Sequence, residues 1–357
     1  MKKKSSFLIL FAIILICMPL SAADKAKKGT YTNPVWGMDT PDPTVIRTEN
    51  GLFYAYTTQG KGPDGKMNNI QVLKSTDLVH WTHLGDALPV KPRMANKTQN
   101  FWAPHVMYAN EQYYLYFSAE PDSVYKTGKD LSLALFVATS KNPAGPFKVN
   151  EKPLIEGDGF VNIDPMTFHD PKSGKYYLFW GSGFEPLKVR ELSNDLMSFE
   201  LTSPTIELVK PFQKDYQFLV EGSWVIYKNG WYYLFYSGDN CCGERAHYAV
   251  MVARSKSVTG PYEVLKDKEE GDHPILALSG KWIAPGHNSI IQDDKGQYWI
   301  IYHAIDKNDR WTNSTIKKDD KRVMLIDRVS FRKGWPYVKG NKPTENMQEA
   351  PIISPQK

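Results

Sequence analysis

One pattern recurs five times along the chain and limits its folding more than any other feature. A turn residue is followed by a short aromatic-rich run at Gly51-Leu52-Phe53-Tyr54-Ala55-Tyr56, Glu111-Gln112-Tyr113-Tyr114-Leu115-Tyr116, Gly174-Lys175-Tyr176-Tyr177-Leu178-Phe179, Gly230-Trp231-Tyr232-Tyr233-Leu234-Phe235 and Gly296-Gln297-Tyr298-Trp299-Ile300-Ile301. Equivalent aromatic positions fall at Tyr54, Tyr114, Tyr177, Tyr233 and Trp299, at steps of 60, 63, 56 and 66 residues. Length, aromatic content and period-2 alternation mark these runs as strands. A further strand follows each run, at 70–75, 135–140, 189–193, 250–255 and 323–331, and leads to a turn or aromatic residue such as Trp81, Gly145-Pro146-Phe147 or Gly260-Pro261-Tyr262. Five units of about four antiparallel strands, with no long amphipathic helix, predict an all-β fold, a five-bladed β-propeller. No Pro/Ser-rich linker divides the units, so residues 31–345 are expected to form one domain, followed by a loosely held tail over 346–357.

The five units share a second feature. Counting back about twelve residues from each equivalent aromatic reaches Asp42, Trp102, Asp164, Glu221 and His287. Equivalent positions in a propeller begin the innermost strand of each blade and converge on the central axis. Taken singly, each residue has an ordinary explanation: Asp-Pro opens turns at Asp42 and Asp164, Glu221 is solvated, and Trp102 and His287 belong to the core. Taken together, three acids, a tryptophan and a histidine in one phase are a poor choice for a packed interior, because buried charges are costly unless paired or used. Three carboxylates around one cleft suit glycosidic cleavage: one protonates the leaving oxygen, one activates water, and a third tunes the acid.

Composition narrows the setting. The chain has 357 residues with 20 Tyr, 16 Phe and 10 Trp, and strand packing accounts for most of these aromatics. Lys2, Lys3 and Lys4, the apolar stretch from Phe7 to Met18 and the small residues Ser21, Ala22 and Ala23 form the pattern of a secretory signal peptide over residues 1–23, with a linker over 24–30. A lipoprotein cleavage at Cys17 fits less well, because bulky Ile16 precedes it. The expected location is outside the cell or in the periplasm, with no transmembrane segment after signal removal. Removal takes three lysines and no acids and lowers the net charge from +5 to +2, which argues against nucleic acid as a partner. A monomer is expected. Of the cysteines only Cys241 and Cys242 then remain, as a vicinal disulfide or as two buried thiols.

The chain resembles glycoside hydrolase family 43 over nearly the whole of its mature length. The resemblance is carried, in order, by Asn33-Pro34 with Asp42-Pro43-Thr44-Val45-Ile46, Phe101-Trp102-Ala103-Pro104, Ile163-Asp164-Pro165 with Tyr177-Leu178-Phe179-Trp180-Gly181, Val220-Glu221-Gly222 with Tyr232-Tyr233-Leu234, and Pro285-Gly286-His287-Asn288 with Tyr302-His303-Ala304. It implies an inverting hydrolase with Asp42 as general base, Glu221 as general acid and Asp164 as the residue that tunes Glu221. It also implies substrate contacts from Trp102, Phe101 and Arg322, no cofactor for the chemistry, and a structural Ca2+ near His287, held directly or through water. The stretch from Cys241-Cys242-Gly243 to Tyr262 resembles arabinan-cleaving members, so α-L-arabinofuranosyl linkages in arabinan or its oligosaccharides are the expected substrate. A β-xylosidase and a non-catalytic carbohydrate-binding propeller are the alternatives. The pattern departs at Ser223, where many members have proline, and at His105, where aspartate is expected.

Overall fold

The computed structural model describes residues 29–126, 131–267, 271–312 and 319–354. The expected signal segment therefore lies outside the described residues. Five four-stranded antiparallel sheets follow one another along the chain. The first comprises Thr44–Arg47, Phe53–Thr57, Gln71–Ser75 and Trp81–Asp86; the second Phe101–Ala109, Gln112–Ala119, Ala134–Ser140 and Lys148–Val149. The third comprises Met166–His169, Tyr176–Trp180, Lys188–Leu192 and Ile206–Glu207; the fourth Val220–Lys228, Trp231–Gly238, Ala249–Ser255 and Glu263–Val264. The fifth comprises Trp282–Gln292, Tyr298–Asp306, Arg322–Arg332 and Trp335–Val338. In each sheet the strands lie side by side in chain order, and the first strand of each touches the first strands of its neighbours around a closed ring. The fold is a five-bladed β-propeller. Among the described residues helix is limited to three short 3-10 turns, and none is long and apolar enough to cross a membrane.

The repeated aromatic runs are the second strands of the blades, and their burial does not alternate. All five residues of Phe53–Thr57 are buried, as are the last seven of Trp231–Gly238. A propeller stacks each blade between two others, so both faces of its middle strands are covered and large side chains are needed on both. Tyrosine rather than phenylalanine is used where a hydroxyl can reach an acceptor. Tyr56 donates to the Pro143 carbonyl at 2.6 Å, Tyr116 to the Leu196 carbonyl at 2.7 Å, and Tyr302 to Asp327 at 2.6 Å. A buried hydroxyl left without a partner would cost about 1–3 kcal/mol.

The chain ends are tied together. Gln348–Glu349 pairs with Thr30–Tyr31, and Ile352 N–H donates to Asp293 at 3.1 Å. This part of the expected loose tail is thus hydrogen-bonded to the ring.

Candidate active site

Each blade turns its chain at a left-handed residue near the start of its innermost strand, and the fifth blade has a second one, Ala284, with φ of 50°. Asp42, Ala103, Asp164, Gly222 and His287 have φ of 58°, 46°, 58°, 62° and 46°. Such left-handed geometry costs a non-glycine residue about 1–2 kcal/mol. In the second, fourth and fifth blades the strand register shifts at or beside this residue. The kink takes the backbone N–H out of the ladder, and in four blades a side chain from the neighbouring blade accepts it. Asp42 N–H donates to His303 Nδ1 at 3.0 Å, and Ala103 N–H to Thr58 Oγ1 at 2.7 Å. Gly222 N–H donates to Asp164 Oδ2 at 3.0 Å, and His287 N–H to Ser237 Oγ at 2.8 Å. Counting back by twelve therefore mixes two positions: Asp42, Asp164 and His287 stand on the kink, whereas Trp102 and Glu221 stand one residue before it.

The kinks bring the acids together. His287 Nδ1 is 3.4 Å from Asp42 Oδ1 and 3.6 Å from Asp164 Oδ2, so one imidazole nitrogen lies between the two carboxylates. Asp164 in turn holds the N–H of Gly222, next to Glu221. Glu221 accepts hydrogen bonds from Ser182 and, at 2.7 Å, from the Tyr248 hydroxyl. All three carboxylates are buried.

Their surroundings divide their protonation. Burial disfavours ionisation of Asp42, but Arg322 Nη1 lies 3.2 Å from its Oδ1 and holds the carboxyl well below its usual range. The neighbouring His287 and His303 add smaller lowering contributions than Arg322. Burial pushes His303 down to about 4 and lowers His287 as well. The Asp42 N–H also fixes His303 Nδ1 as an acceptor, which puts the ring proton on Nε2. Thr58 orients Asp42, donating from Oγ1 to Oδ2 at 2.6 Å while accepting from Ala103. Burial raises Asp164 well above the carboxylate range, helped by repulsion from Glu221 and Asp42. Burial also raises Glu221, and Asp42 adds to it. The site thus keeps one carboxylate ionised beside Arg322 and retains a proton on the Asp164–Glu221 side. Arg322 is set by Asp39, whose Oδ1 accepts the Arg322 backbone N–H at 2.9 Å.

The remaining expected site residues divide. Trp102 is half-buried, at the start of the second blade next to the Thr58-bound Ala103. Phe101 is fully buried, 6.1 Å from Phe117 in the blade core, and has no face left for a sugar; that expectation is corrected. Strand alternation puts Phe101 and Trp102 on opposite faces, so the burial of one does not extend to the other. His105 is buried edge-on to Trp224 at 5.4 Å, and burial lowers it to about 3, so it stands as a neutral ring where an acid was expected. Cys241 and Cys242 are paired as a vicinal disulfide, and Cys241 packs near Tyr248. Among the described residues no three His, Cys, Asp or Glu side chains gather to hold a metal ion. An ion near His287 would have to draw its oxygen ligands from water and backbone, since the nearest carboxylates belong to the catalytic set. Thr58, Ser182, Ser237 and Tyr248 were not singled out from the sequence as site residues; Ser237 lies within Trp231–Gly238 and the other three just outside strand ends, and all are common polar types.

A model of the Glycosyl hydrolases family 43 matches residues 31–336. The chain belongs to glycosyl hydrolase family 43. It is 30% identical over 309 residues to the Extracellular endo-alpha-(1->5)-L-arabinanase 1 of Bacillus subtilis (strain 168), covering 83% of this chain and 86% of that protein. It is 26% identical over 352 residues to the Extracellular exo-alpha-(1->5)-L-arabinofuranosidase ArbA of Cellvibrio japonicus (strain Ueda107), covering 92% of this chain and 91% of that one. The chain spans 60% of the length of a relative in Escherichia coli (strain K12), to which it is 26% identical. Among solved structures, a thermostable family-43 glycoside hydrolase superposes with a TM-score of 0.72 at 27% identity, covering 91% of this chain and all of that one. The Cellvibrio cellulosa alpha-L-arabinanase complexed with arabinohexaose superposes with a TM-score of 0.67 at 26% identity, covering 85% and 96%. This family 43 chain is a glycoside hydrolase acting on O-glycosyl compounds, and its chemistry needs no cofactor.

Proposed function

We propose that this chain cleaves α-L-arabinofuranosyl linkages of arabinan or arabino-oligosaccharides outside the cytoplasm, with inversion at the anomeric carbon. The observation that carries the mechanism is the placing of the three buried acids: Arg322 Nη1 lies 3.2 Å from Asp42 Oδ1 and favours its ionised form, while Asp164 holds the N–H next to Glu221 at 3.0 Å and burial raises both of these carboxyls. Asp42 takes a proton from a water molecule, and the water oxygen bonds to the anomeric carbon. The bond from that carbon to the glycosidic oxygen breaks, and Glu221 gives its proton to the departing oxygen. The products are a sugar hemiacetal of inverted configuration and a shortened glycan. Asp42 ends protonated and Glu221 ionised, and exchange with solvent restores both. Asp164 tunes the proton on Glu221, Trp102 stacks on the sugar, and Arg322 both charges the base and contacts the substrate.

The names of the Bacillus and Cellvibrio relatives support arabinan as substrate, and the pattern of residues 1–23 supports export. The deciding experiment follows products from debranched arabinan and from nitrophenyl β-xyloside by NMR. New reducing ends from arabinan with the opposite anomeric configuration are expected. Turnover of the xyloside alone would refute the substrate, and retained configuration would refute the roles of Asp42 and Glu221. Glu221→Gln is expected to abolish cleavage of unactivated substrate while leaving binding intact.

A further inference from the structure

Tyr248 stands between two members of the carboxylate network. It is fully buried, so it is out of reach of a sugar, and its hydroxyl donates to Glu221 Oε1 at 2.7 Å. Its ring stacks on His303 at 5.7 Å with the planes 10° apart, and His303 Nδ1 accepts the Asp42 N–H at 3.0 Å. Ser182 donates to the other oxygen of Glu221, so two hydroxyls fix the plane of that carboxyl. The tyrosine ring is seated directly on backbone: a Cβ on Gly286 would come within 2.0 Å of Tyr248 Cδ1, so only glycine fits beneath it.

The place of Tyr248 is imposed from the fifth blade. Tyr248 follows a turn in which the Asn240 carbonyl accepts the His247 N–H at 2.9 Å and the Gly243 carbonyl accepts the Ala246 N–H at 3.0 Å. The Cys241–Cys242 disulfide lies in that turn, and Cys241 and Ala246 pack against the buried group of Tyr248, Ala284 and Ile305. Gly243 is gripped at both its polar atoms. Asp320 Oδ2 accepts its N–H at 2.6 Å, and Arg310 Nη2 donates to its carbonyl at 2.7 Å. Arg310 Nε and Asp320 Oδ1 are paired at 2.5 Å, with the Asp320 side chain 1% exposed. Two residues further on, Arg322 Nη1 reaches Asp42 Oδ1. The stretch from Asp320 to Arg322 therefore touches both the turn that carries Tyr248 and the carboxylate of Asp42.

We propose that Tyr248 is a positioning residue for the acid and that Asp320 and Arg310 position Tyr248 in turn, so that one segment of the fifth blade sets both members of the catalytic pair. The inference rests on Glu221 being the acid and Asp42 the base. A hydroxyl that donates to a carboxyl favours its ionised form, and Glu221 becomes ionised as it gives up its proton. Tyr248 thus helps the proton leave, against the burial that raises this carboxyl. Burial also pushes the Tyr248 phenol well above its usual range, so it remains a neutral donor. Asp42 and Arg322 also act on Glu221, and Glu221 acts on Asp164; His287 faces Asp164 and His303 faces Tyr248. All of these groups stay in place in the variants below.

The test reads the acid directly. Glutamate labelled with carbon-13 at its side-chain carboxyl is titrated by NMR in the parent, in Tyr248→Phe, in Asp320→Ala and in the double variant, with the Glu221 signal identified by its loss in Glu221→Gln. Tyr248→Phe should raise the Glu221 midpoint by about one unit, and Asp320→Ala should raise it by about half a unit. In the Tyr248→Phe background Asp320→Ala should add less than about 0.2 unit, because its effect passes through the hydroxyl already removed. On the better-cleaved of arabinotriose and xylotriose, kcat should fall about tenfold in Tyr248→Phe with KM changed less than about twofold, and the alkaline limb should follow the midpoint. Thermal midpoints check folding, and Arg310→Met, at a side chain 23% exposed, serves for the same comparison if Asp320→Ala does not fold. An unmoved midpoint in Tyr248→Phe, or equal shifts for the clasp variant in the two backgrounds, overturns the proposal. Hydrolysis surviving in Glu221→Gln refutes the acid assignment, whereas an inactive Glu221→Gln with an unmoved midpoint in Tyr248→Phe sinks the positioning alone.

Discussion

Replacing Arg322 by methionine should move the acidic limb of the activity profile to higher pH. Arg322 Nη1 stands 3.2 Å from Asp42 Oδ1, and their side chains are 15% and 9% exposed. At that separation and an effective dielectric of 20, two unit charges attract by about 5 kcal/mol. Spreading the charge over the guanidinium and partial exposure reduce this to about 3 kcal/mol, the lower end for breaking a buried pair. Each pKa unit corresponds to about 1.4 kcal/mol, so Asp42 should rise by about two units. Arg322 adds to burial in holding His303 and His287 down, so both rise in the variant and offset part of this shift, which makes two units the upper end. The assay is kcat/KM against pH on an arabino-oligosaccharide. Below its new limb the variant should lose about tenfold in kcat/KM per pH unit, and activity should return as pH rises. Loss of a sugar contact alone would lower the whole profile without moving it. Arg322→Lys keeps a cation and should restore the limb in part, with weaker binding because the fork geometry is gone. An acidic limb left in place in Arg322→Met would refute the claim that this arginine holds the base ionised.

Three further substitutions test the same network. Asp164→Asn removes the buried carboxyl that Glu221 raises and that holds the Gly222 N–H beside the acid, and should shift the alkaline limb of kcat as the two groups cease to titrate together; an unmoved limb would argue against tuning. Thr58→Val leaves the Ala103 N–H and Asp42 Oδ2 without their shared hydroxyl, and should cost about 1–3 kcal/mol in denaturant melts together with a fall in kcat. His303 is held to about 4 when folded, so the unfolded chain binds its proton first as pH falls below about 6.5, and stability drops from there down to about 4. In His303→Asn that loss is absent, so the variant's stability deficit against the parent should shrink by up to about 1.4 kcal/mol per pH unit across this window; a constant deficit would refute a buried neutral His303.

The blades were legible because a propeller repeats its demands. Every second strand is covered on both faces, so every unit must supply large side chains at the same place, and Tyr54, Tyr114, Tyr177, Tyr233 and Trp299 do so. The burial pattern was not legible from alternation. Period-2 reading assumes one wet face, and Phe53–Thr57 has none.

The acids were legible for the same reason and their exact phase was not. The kink uses a left-handed residue in every blade, and aspartate, histidine, alanine and glycine all fill it here, so residue type alone does not mark the place. The kink explains why the site is assembled as it is. In four blades the left-handed residue frees an N–H that finds a side-chain acceptor, and those acceptors are His303, Thr58, Asp164 and Ser237. Two of them also touch the proposed base and a third is the proposed tuning acid. The hydrogen bonds that make the bends affordable are therefore the ones that fix the carboxylates. A substitution in this set should disturb backbone geometry and protonation together, which is why the pH profile, and not the rate alone, is the measurement that separates them.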